Sequence, residues 1–121
     1  MYRCILINRW WLADSLLEKY IRRTGCLDLI WSGAYSDEAL DTLRSNDYDL
    51  VFVSLPSPDQ IISDDVLSEL RRQEFLIVTS SYPEYLFYGY DLNPVSFLKE
   101  PFSIVNLTSA IDKCAVATYK R

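Results

Sequence analysis

Short apolar runs alternate along the chain with segments in which apolar residues recur every three or four positions. The runs lie at 4–7, 27–31, 50–53, 75–78 and 95–98. Such runs are typical of strands covered on both faces of a sheet, and the longer spacing is typical of the buried face of a helix. The pattern therefore predicts five strands, each followed by a helix.

Residues that start and stop helices agree with this pattern. Ser36, Ser63 and Ser103 precede three of the helical segments, where their hydroxyls can accept hydrogen bonds from free backbone amides. Pro83 can open a shorter helix near 84–90, and Gly25 can end the first helix. Regular alternation with short connections predicts an α/β fold, with a parallel sheet and helices on both of its faces.

In folds of this kind, ligands bind beyond the carboxyl ends of the strands. The residues that follow the first strand are Asn8, Arg9, Trp10 and Trp11. A glycine-rich phosphate-binding loop would be expected there in a nucleotide-binding enzyme, and this sequence does not provide one. An enzyme built on a flavodoxin-like sheet is therefore the least favoured interpretation.

Composition narrows the function further. The chain has 121 residues, half of them hydrophobic, which is typical of one compact domain. Its net charge of −5 disfavours direct binding to nucleic acid or to an anionic membrane. The sequence contains no histidine, which excludes Ser–His–Asp and Cys–His catalysis. The spacing of the cysteines does not suggest disulfide pairs, which predicts reduced thiols. No apolar run is long enough to span a membrane. Together these features predict a cytoplasmic location.

Four segments carry a resemblance to a known family: 1–7, 49–59, 77–85 and 101–103. In this order and spacing they resemble the receiver domain of two-component response regulators, especially receivers that precede a LytTR-type DNA-binding domain. The resemblance covers essentially the whole chain. It implies a flavodoxin-like (βα)5 fold with sheet order 2-1-3-4-5 and a non-enzymatic receiver-like domain over 1–121. It also implies a place in the N-terminal part of a longer regulator.

The residues that do chemistry in that family can be carried over by position. There, an acidic pair after the first strand binds Mg²⁺, and an aspartate at the end of the third strand accepts a phosphoryl group. A hydroxyl after the fourth strand bonds the phosphate, and a lysine before a proline pairs with it. The acidic pair falls on Asn8 and Arg9, the acceptor on Ser54, the hydroxyl on Ser80 and the lysine on Glu100.

Only Ser80 keeps the expected group. Mg²⁺ prefers carboxylate ligands, whereas Asn8 offers one neutral carbonyl and Arg9 a fixed positive charge. Ser54 cannot form an acyl phosphate, and Glu100 would repel a phosphate. We therefore expect no metal or other cofactor and a degenerate phosphorylation site. The alternative is a working, phosphorylation-competent receiver of a phosphorelay.

Arg9 and Glu100 reverse the signs of charge that the family has at these two positions. One hypothesis is an ion pair between them that bridges the vacant pocket and bonds Ser54; the other is that both side chains point to solvent. A partly buried pair would need additional hydrogen bonds to offset its desolvation. The resemblance also implies that the Glu100–Pro101 peptide bond is cis.

Aromatic side chains suggest where a protein partner binds. Tyr85, Tyr88 and Tyr90 lie in the predicted fourth helix, and the fourth helix, fifth strand and fifth helix form the usual dimer or effector surface of receivers. Exposed tyrosines suit an interface, although partial burial is the alternative. Trp10 and Trp11 could plug the vacant pocket, contact a partner, or cover the first helix. The function expected is signalling or transcription regulation through dimerisation or docking.

Overall fold

The computed structural model describes residues 2–8 and 16–119 of the chain. Its strands are β1 (Tyr2–Asn8), β2 (Leu27–Ala34), β3 (Leu50–Ser54), β4 (Leu76–Ser80) and β5 (Ser96–Lys99). Its α-helices are α1 (Leu16–Arg23), α2 (Asp37–Ser45), α3 (Asp64–Arg71) and α4 (Ile104–Tyr119). A 3₁₀ helix at Glu84–Tyr90 lies between β4 and β5.

All strand pairs are parallel, and the sheet order is β2-β1-β3-β4-β5. This confirms the predicted flavodoxin-like order. Side chains alternate between the two faces of each strand, so β1 sends Ile5 and Ile7 to one core and Cys4 and Leu6 to the other. A sheet buried on both faces explains why the strands read as continuous apolar runs.

The predicted helix caps are confirmed. The hydroxyl of Ser36 accepts a hydrogen bond from the Ala39 amide at 3.1 Å, and that of Ser63 accepts one from the Val66 amide at 3.3 Å. Ser103 caps α4 in the same way. Each bond satisfies an amide that has no partner within the first helical turn.

Two elements differ from their predicted form. β2 continues three residues past the predicted Trp31, to Ala34. The fourth helix occupies the predicted residues but is a 3₁₀ helix, which is long for this type. It ends where Asp91 adopts a left-handed conformation with φ of 55°. Within the described residues, no helix has the length and apolar character needed to span a membrane.

Candidate functional site at the carboxyl edge of the sheet

The carboxyl ends of the central strands carry the buried polar side chains of the described residues. Asn8 ends β1 at 8% exposure, Ser54 ends β3 at 3%, and Thr79 and Ser80 end β4 at 0%. Because burying a polar group is costly unless it is hydrogen-bonded, such a concentration at one edge needs a structural or functional reason. None of the four side chains can carry a full charge near neutral pH, so this edge is polar but uncharged at its buried positions.

The strand register places three of these side chains side by side. Ile7 pairs with Val53, which brings Asn8 level with Ser54, and Ser54 pairs with Thr79. Residues level with each other in parallel strands lie on the same face of the sheet. Leu6, Phe52 and Ile77 lie two residues earlier and pack in the core that also contains α1 and α4. Asn8, Ser54 and Thr79 therefore continue that face to the carboxyl edge.

Ser80, the hydroxyl singled out from the sequence, lies one residue beyond Thr79 and belongs to the opposite face. Its hydroxyl accepts a hydrogen bond from the Tyr82 amide at 3.0 Å, which fixes the turn after β4. Its register partner is Lys99 rather than Ser54. The switch-hydroxyl role of Ser80 stays a prediction, and the register gives Thr79 the place beside Ser54.

Thr79 is the residue of this edge that sequence reasoning missed. Its hydroxyl is buried and has no hydrogen-bond partner among the described residues. Thr79, Ser80 and Ser81 are consecutive hydroxyl residues, so position along the chain alone could not decide which one faces the end of β3. Leu76, Ile77 and Val78 are all apolar and buried, so no hydrophobic alternation marks the two faces of β4, and the strand register decides the position of Thr79.

Glu100 is brought to the same edge by the segment after β5. Its backbone amide donates to the Ser80 carbonyl at 2.7 Å, and its side chain is half-buried. The Glu100–Pro101 peptide bond is cis, as the resemblance implied. The structure thus brings Asn8, Ser54, Ser80 and Glu100 to one edge of the sheet. Arg9, Trp10 and Trp11 lie outside the described residues.

Two loops border this edge. The Tyr35 hydroxyl, just after β2, donates to the Ser54 carbonyl at 3.0 Å. In the loop after β3, the Ser57 hydroxyl donates to the Asp59 carboxylate, and this bond holds the pKa of Asp59 below its usual value. Asp59 is exposed in that loop. Over 2–8 and 16–119, no three histidine, cysteine or acidic side chains are grouped so that they could hold a metal ion.

The buried side chains at the described part of the edge offer neutral hydrogen bonding, and the half-buried Glu100 and the exposed Asp59 and Lys99 supply charge around them. A serine hydroxyl is a weak nucleophile unless a base lies next to it, and the chain contains no histidine to serve as one. Asn8 and Ser54 also supply neutral oxygens where Mg²⁺ prefers carboxylates. These residues can order the loops, and the buried positions where a receiver is expected to carry carboxylates hold Asn8 and Ser54.

A second region, on the 3₁₀ helix and the turn before it, exposes large side chains. We define the aromatic surface as Tyr82, Tyr85, Leu86 and Tyr88, all of which are exposed. Tyr85 and Tyr88 are 64% and 70% exposed, consistent with the predicted role of candidate contact residues. Single exposed apolar side chains are ordinary, whereas several grouped on one short element can mark a contact surface.

Tyr90, the third tyrosine singled out from the sequence, has different surroundings. It is half-buried, and its ring lies 5.8 Å from that of Phe87 between centroids. Its carbonyl accepts a hydrogen bond from the Arg71 guanidinium at 2.9 Å. Tyr90 therefore attaches the 3₁₀ helix to α3 and the core, and less of it is available to a partner.

The chain is similar in sequence to known regulators, although no family model matches it. It is 20% identical over 120 residues to the sensory transduction protein LytR of Staphylococcus epidermidis. That match covers 98% of this chain and 48% of the relative. The chain thus spans about half the length of the curated relatives it matches.

Solved structures similar to this chain include receiver domains. The signal receiver domain of the response regulator NarL from Mycobacterium tuberculosis superposes with a TM-score of 0.72 at 15% identity, covering 94% of this chain and 95% of that chain. The receiver domain of the sensor histidine kinase PA1611 from Pseudomonas aeruginosa also has a TM-score of 0.72 at 15% identity, covering 94% and 98%. The latter holds a magnesium ion coordinated in its active-site cleft. The fold of this chain is that of response regulator receiver domains.

Proposed function

We propose that the chain is a receiver-like signalling module of a response regulator that does not take up a phosphoryl group and acts through protein contacts. The observation that carries this proposal is Ser54, which occupies the buried carboxyl end of β3 beside Asn8 and Thr79. A phosphoryl acceptor there would need a carboxylate and a bound cation. The buried polar side chains at the carboxyl ends of the three central strands supply only amide and hydroxyl groups.

The phosphoryl part of the proposal is tested by incubating the chain with acetyl phosphate and Mg²⁺ and measuring its intact mass. We expect no mass gain, because an unactivated serine does not attack the phosphoryl donor. A titration with beryllofluoride, followed through backbone amide NMR signals, should leave Ser54, Leu55 and Ser80 unshifted. The matched variant is Ser54→Ala, which should behave like the wild type in both measurements.

The alternative is a working receiver, and the same measurements separate the two. A mass gain of one phosphoryl group that requires Mg²⁺ and disappears in Ser54→Ala would overturn the proposal. A saturable beryllofluoride shift centred on Ser54 would do the same. Modification that persists in Ser54→Ala would indicate another acceptor, which would also contradict a module that takes no phosphoryl group.

We further propose that Arg9 and Glu100 form an ion pair across the edge. Glu100 is half-buried, and its backbone is fixed next to Ser80. A carboxylate in such a position is stabilised by a compensating positive charge. Arg9 immediately follows Asn8, the last residue of β1, and Glu100 follows β5, so the two long side chains would meet across the ends of β3 and β4. The pair would replace the ionic groups of a phosphorylation site with a structural contact.

The contact part of the proposal concerns the aromatic surface. Tyr85 and Tyr88 project from an element anchored by Phe87, so a partner would meet rings on a fixed support. The partner proposed first is a second copy of the chain, through the face made by the 3₁₀ helix, β5 and α4. Tyrosine is enriched at interfaces because it buries a large area at low conformational cost.

Sedimentation velocity at several concentrations tests this contact. The wild type should self-associate, and Tyr85→Ser with Tyr88→Ser should be monomeric with an unchanged unfolding midpoint. The control is Tyr48→Phe. Tyr48 lies in the connection between α2 and β3, outside the aromatic surface, and its hydroxyl donates to the Leu43 carbonyl. A monomeric wild type would remove the homodimer and leave docking to a different protein. Unchanged association in the double variant would contradict the use of this surface.

The relatives suggest the larger setting. Because the chain matches about half of each, we propose that it works beside a further domain of the LytTR type in transcription regulation. In that arrangement, DNA binding belongs to the second domain, in agreement with the net charge of −5 on this one. A cytoplasmic location and a non-enzymatic role are part of the same proposal.

A further inference from the structure

A cavity of about 220 Å³ opens beside the 3₁₀ helix. Its innermost residues are Leu55, Val78 and Phe87, which are almost fully buried. Leu92, Pro94 and Phe97 form half-buried walls. The interior is therefore apolar and continuous with the core that α2 and α3 cover.

The mouth of the cavity has a different character. Glu84, Tyr88 and Asp91 line it, and all three are exposed. Neither carboxylate forms a salt bridge with a residue in the described part of the chain, and no basic side chain lines the cavity. Arg71, the basic residue bonded to this segment, contacts the Tyr90 carbonyl. An apolar interior below two carboxylates favours a ligand group that has an apolar stem and ends in a positive charge.

The volume of the cavity indicates what kind of molecule supplies such a group. A dry cavity of about 150 Å³ can hold a benzene molecule, and small-molecule sites usually begin at about 300 Å³. The present volume lies between these values and suits one long side chain. Tyr88 belongs both to the cavity and to the aromatic surface, so a side chain entering here would extend that contact. Anchors in interface pockets are often arginine or aromatic residues.

We propose that this cavity binds an arginine side chain presented by a partner protein, with its stem against Phe87 and Phe97 and its guanidinium between Glu84 and Asp91. A planar guanidinium can stack on aromatic rings and bond carboxylates at the same time. The net charge of −5 favours a basic partner, which is a different protein rather than a second copy of this acidic chain. This inference rests on the contact role proposed for the aromatic surface, in its alternative form of docking to a different protein, and it specifies the chemistry of that partner.

The probe is a blocked hexapeptide with one central arginine among small neutral residues, titrated into isotopically labelled chain and followed by amide NMR. We expect saturable shifts at Phe87, Asp91 and Phe97. Replacing the arginine by citrulline, which keeps the shape and removes the charge, should weaken binding about tenfold. Replacing it by norleucine, which keeps only a stem, should weaken it at least as much. Equal binding of the citrulline peptide, or no shift at these residues, would overturn the inference.

Variants of the chain give the reciprocal test. Glu84→Gln with Asp91→Asn should weaken binding of the arginine peptide about tenfold, a reasonable loss for two exposed charge contacts. Asp41→Asn with Asp112→Asn changes the net charge equally at exposed positions that do not line the cavity, and it should leave binding unchanged. Equal weakening in both double variants would show a general charge effect and overturn the site.

Two outcomes separate this inference from its alternatives. Butylguanidinium that binds as tightly as the peptide would identify the site with a free cation rather than with a partner's side chain, against the proposal. A chain that takes up a phosphoryl group and also binds the arginine peptide would overturn the phosphoryl-silent function and support the arginine site. A chain that takes up no phosphoryl group and does not bind the peptide would support the phosphoryl-silent function and overturn the arginine site.

Discussion

The carboxyl edge of the sheet and the aromatic surface depart from ordinary protein surfaces in opposite ways. The edge buries polar groups at Asn8, Ser54, Thr79 and Ser80, whereas the 3₁₀ helix exposes apolar rings. In the function proposed above, the buried polar edge has a structural role and the exposed rings on the anchored helix meet a partner. The comparison therefore assigns the proposed function to the flank of the fold rather than to its carboxyl edge.

The largest expected effect concerns what holds the aromatic surface in place. Phe87 is buried, and its ring lies 6.1 Å from that of Phe97 between centroids. Phe87→Ala should lower the free energy of unfolding by about 3–5 kcal/mol, because it leaves a cavity in the core. Chemical denaturation measures the loss. Tyr85→Ala, on the same helix but exposed, should change stability by less than about 0.5 kcal/mol.

Similar losses in these two variants would break the comparison, because Tyr85 would then pack as part of the core. A small loss for Phe87→Ala would contradict the anchoring of the helix. In that case the exposed rings would belong to a loosely held segment and would offer a partner no fixed surface.

The next effect concerns the edge and its ionic groups. If Arg9 and Glu100 pair there, Arg9→Ala should destabilise the chain by more than about 0.5 kcal/mol, the usual range for surface changes. In a double-mutant cycle with Glu100→Gln, the two losses should be less than additive. Urea denaturation of the four proteins gives the coupling energy.

A surface ion pair in the same chain provides the control. Arg22 and Glu18 are 3.5 Å apart on α1, and the Arg22 side chain is exposed. Arg22→Ala should cost no more than about 0.5 kcal/mol. An Arg9→Ala loss that falls within this range, with additive effects in the cycle, would place both charges in solvent.

A further effect is a difference in sign between two neighbouring hydroxyls. Thr79→Val should stabilise the chain by about 1 kcal/mol, because it removes a buried hydroxyl that lacks a partner among the described residues. Ser80→Ala should destabilise it by about 1 kcal/mol, because the Tyr82 amide loses its acceptor. Thermal unfolding of both variants measures the difference in sign.

Destabilisation by Thr79→Val would indicate that the hydroxyl bonds a group outside the described residues. That result would turn Thr79 from an unsatisfied group into part of the edge network. Stabilisation by Ser80→Ala would contradict the role of its hydroxyl in the turn after β4.

Much of the fold could be predicted from the sequence because its signals are local. Buried strands such as 50–53 read as continuous apolar runs, and the caps at Ser36 and Ser63 depend only on residues three positions away. The strand order came from the family resemblance, since hydrophobic periodicity does not specify which strands are neighbours.

The parts that could not be predicted depend on register and on competition between similar conformations. The place of Thr79 beside Ser54 follows from a pairing between strands that consecutive hydroxyl residues conceal. The segment 84–90 has four aromatic residues and Gly89, which favour an α-helix only weakly, and it forms a 3₁₀ helix with Phe87 buried. The cavity forms between residues far apart in the chain and has no sequence signal.

The hydrogen bond from Tyr35 to Ser54 has a consequence for motion. Tyr35 follows β2, and β1 lies between β2 and β3, so the phenol reaches across one strand to hold the end of another. The next residue, Ser36, caps α2. Displacing the loop after β3 would therefore have to break this bond or pull on the start of α2. Hydrogen exchange at Leu55 and Ala39 should consequently report one shared opening event, with Tyr35→Phe making the two amides independent.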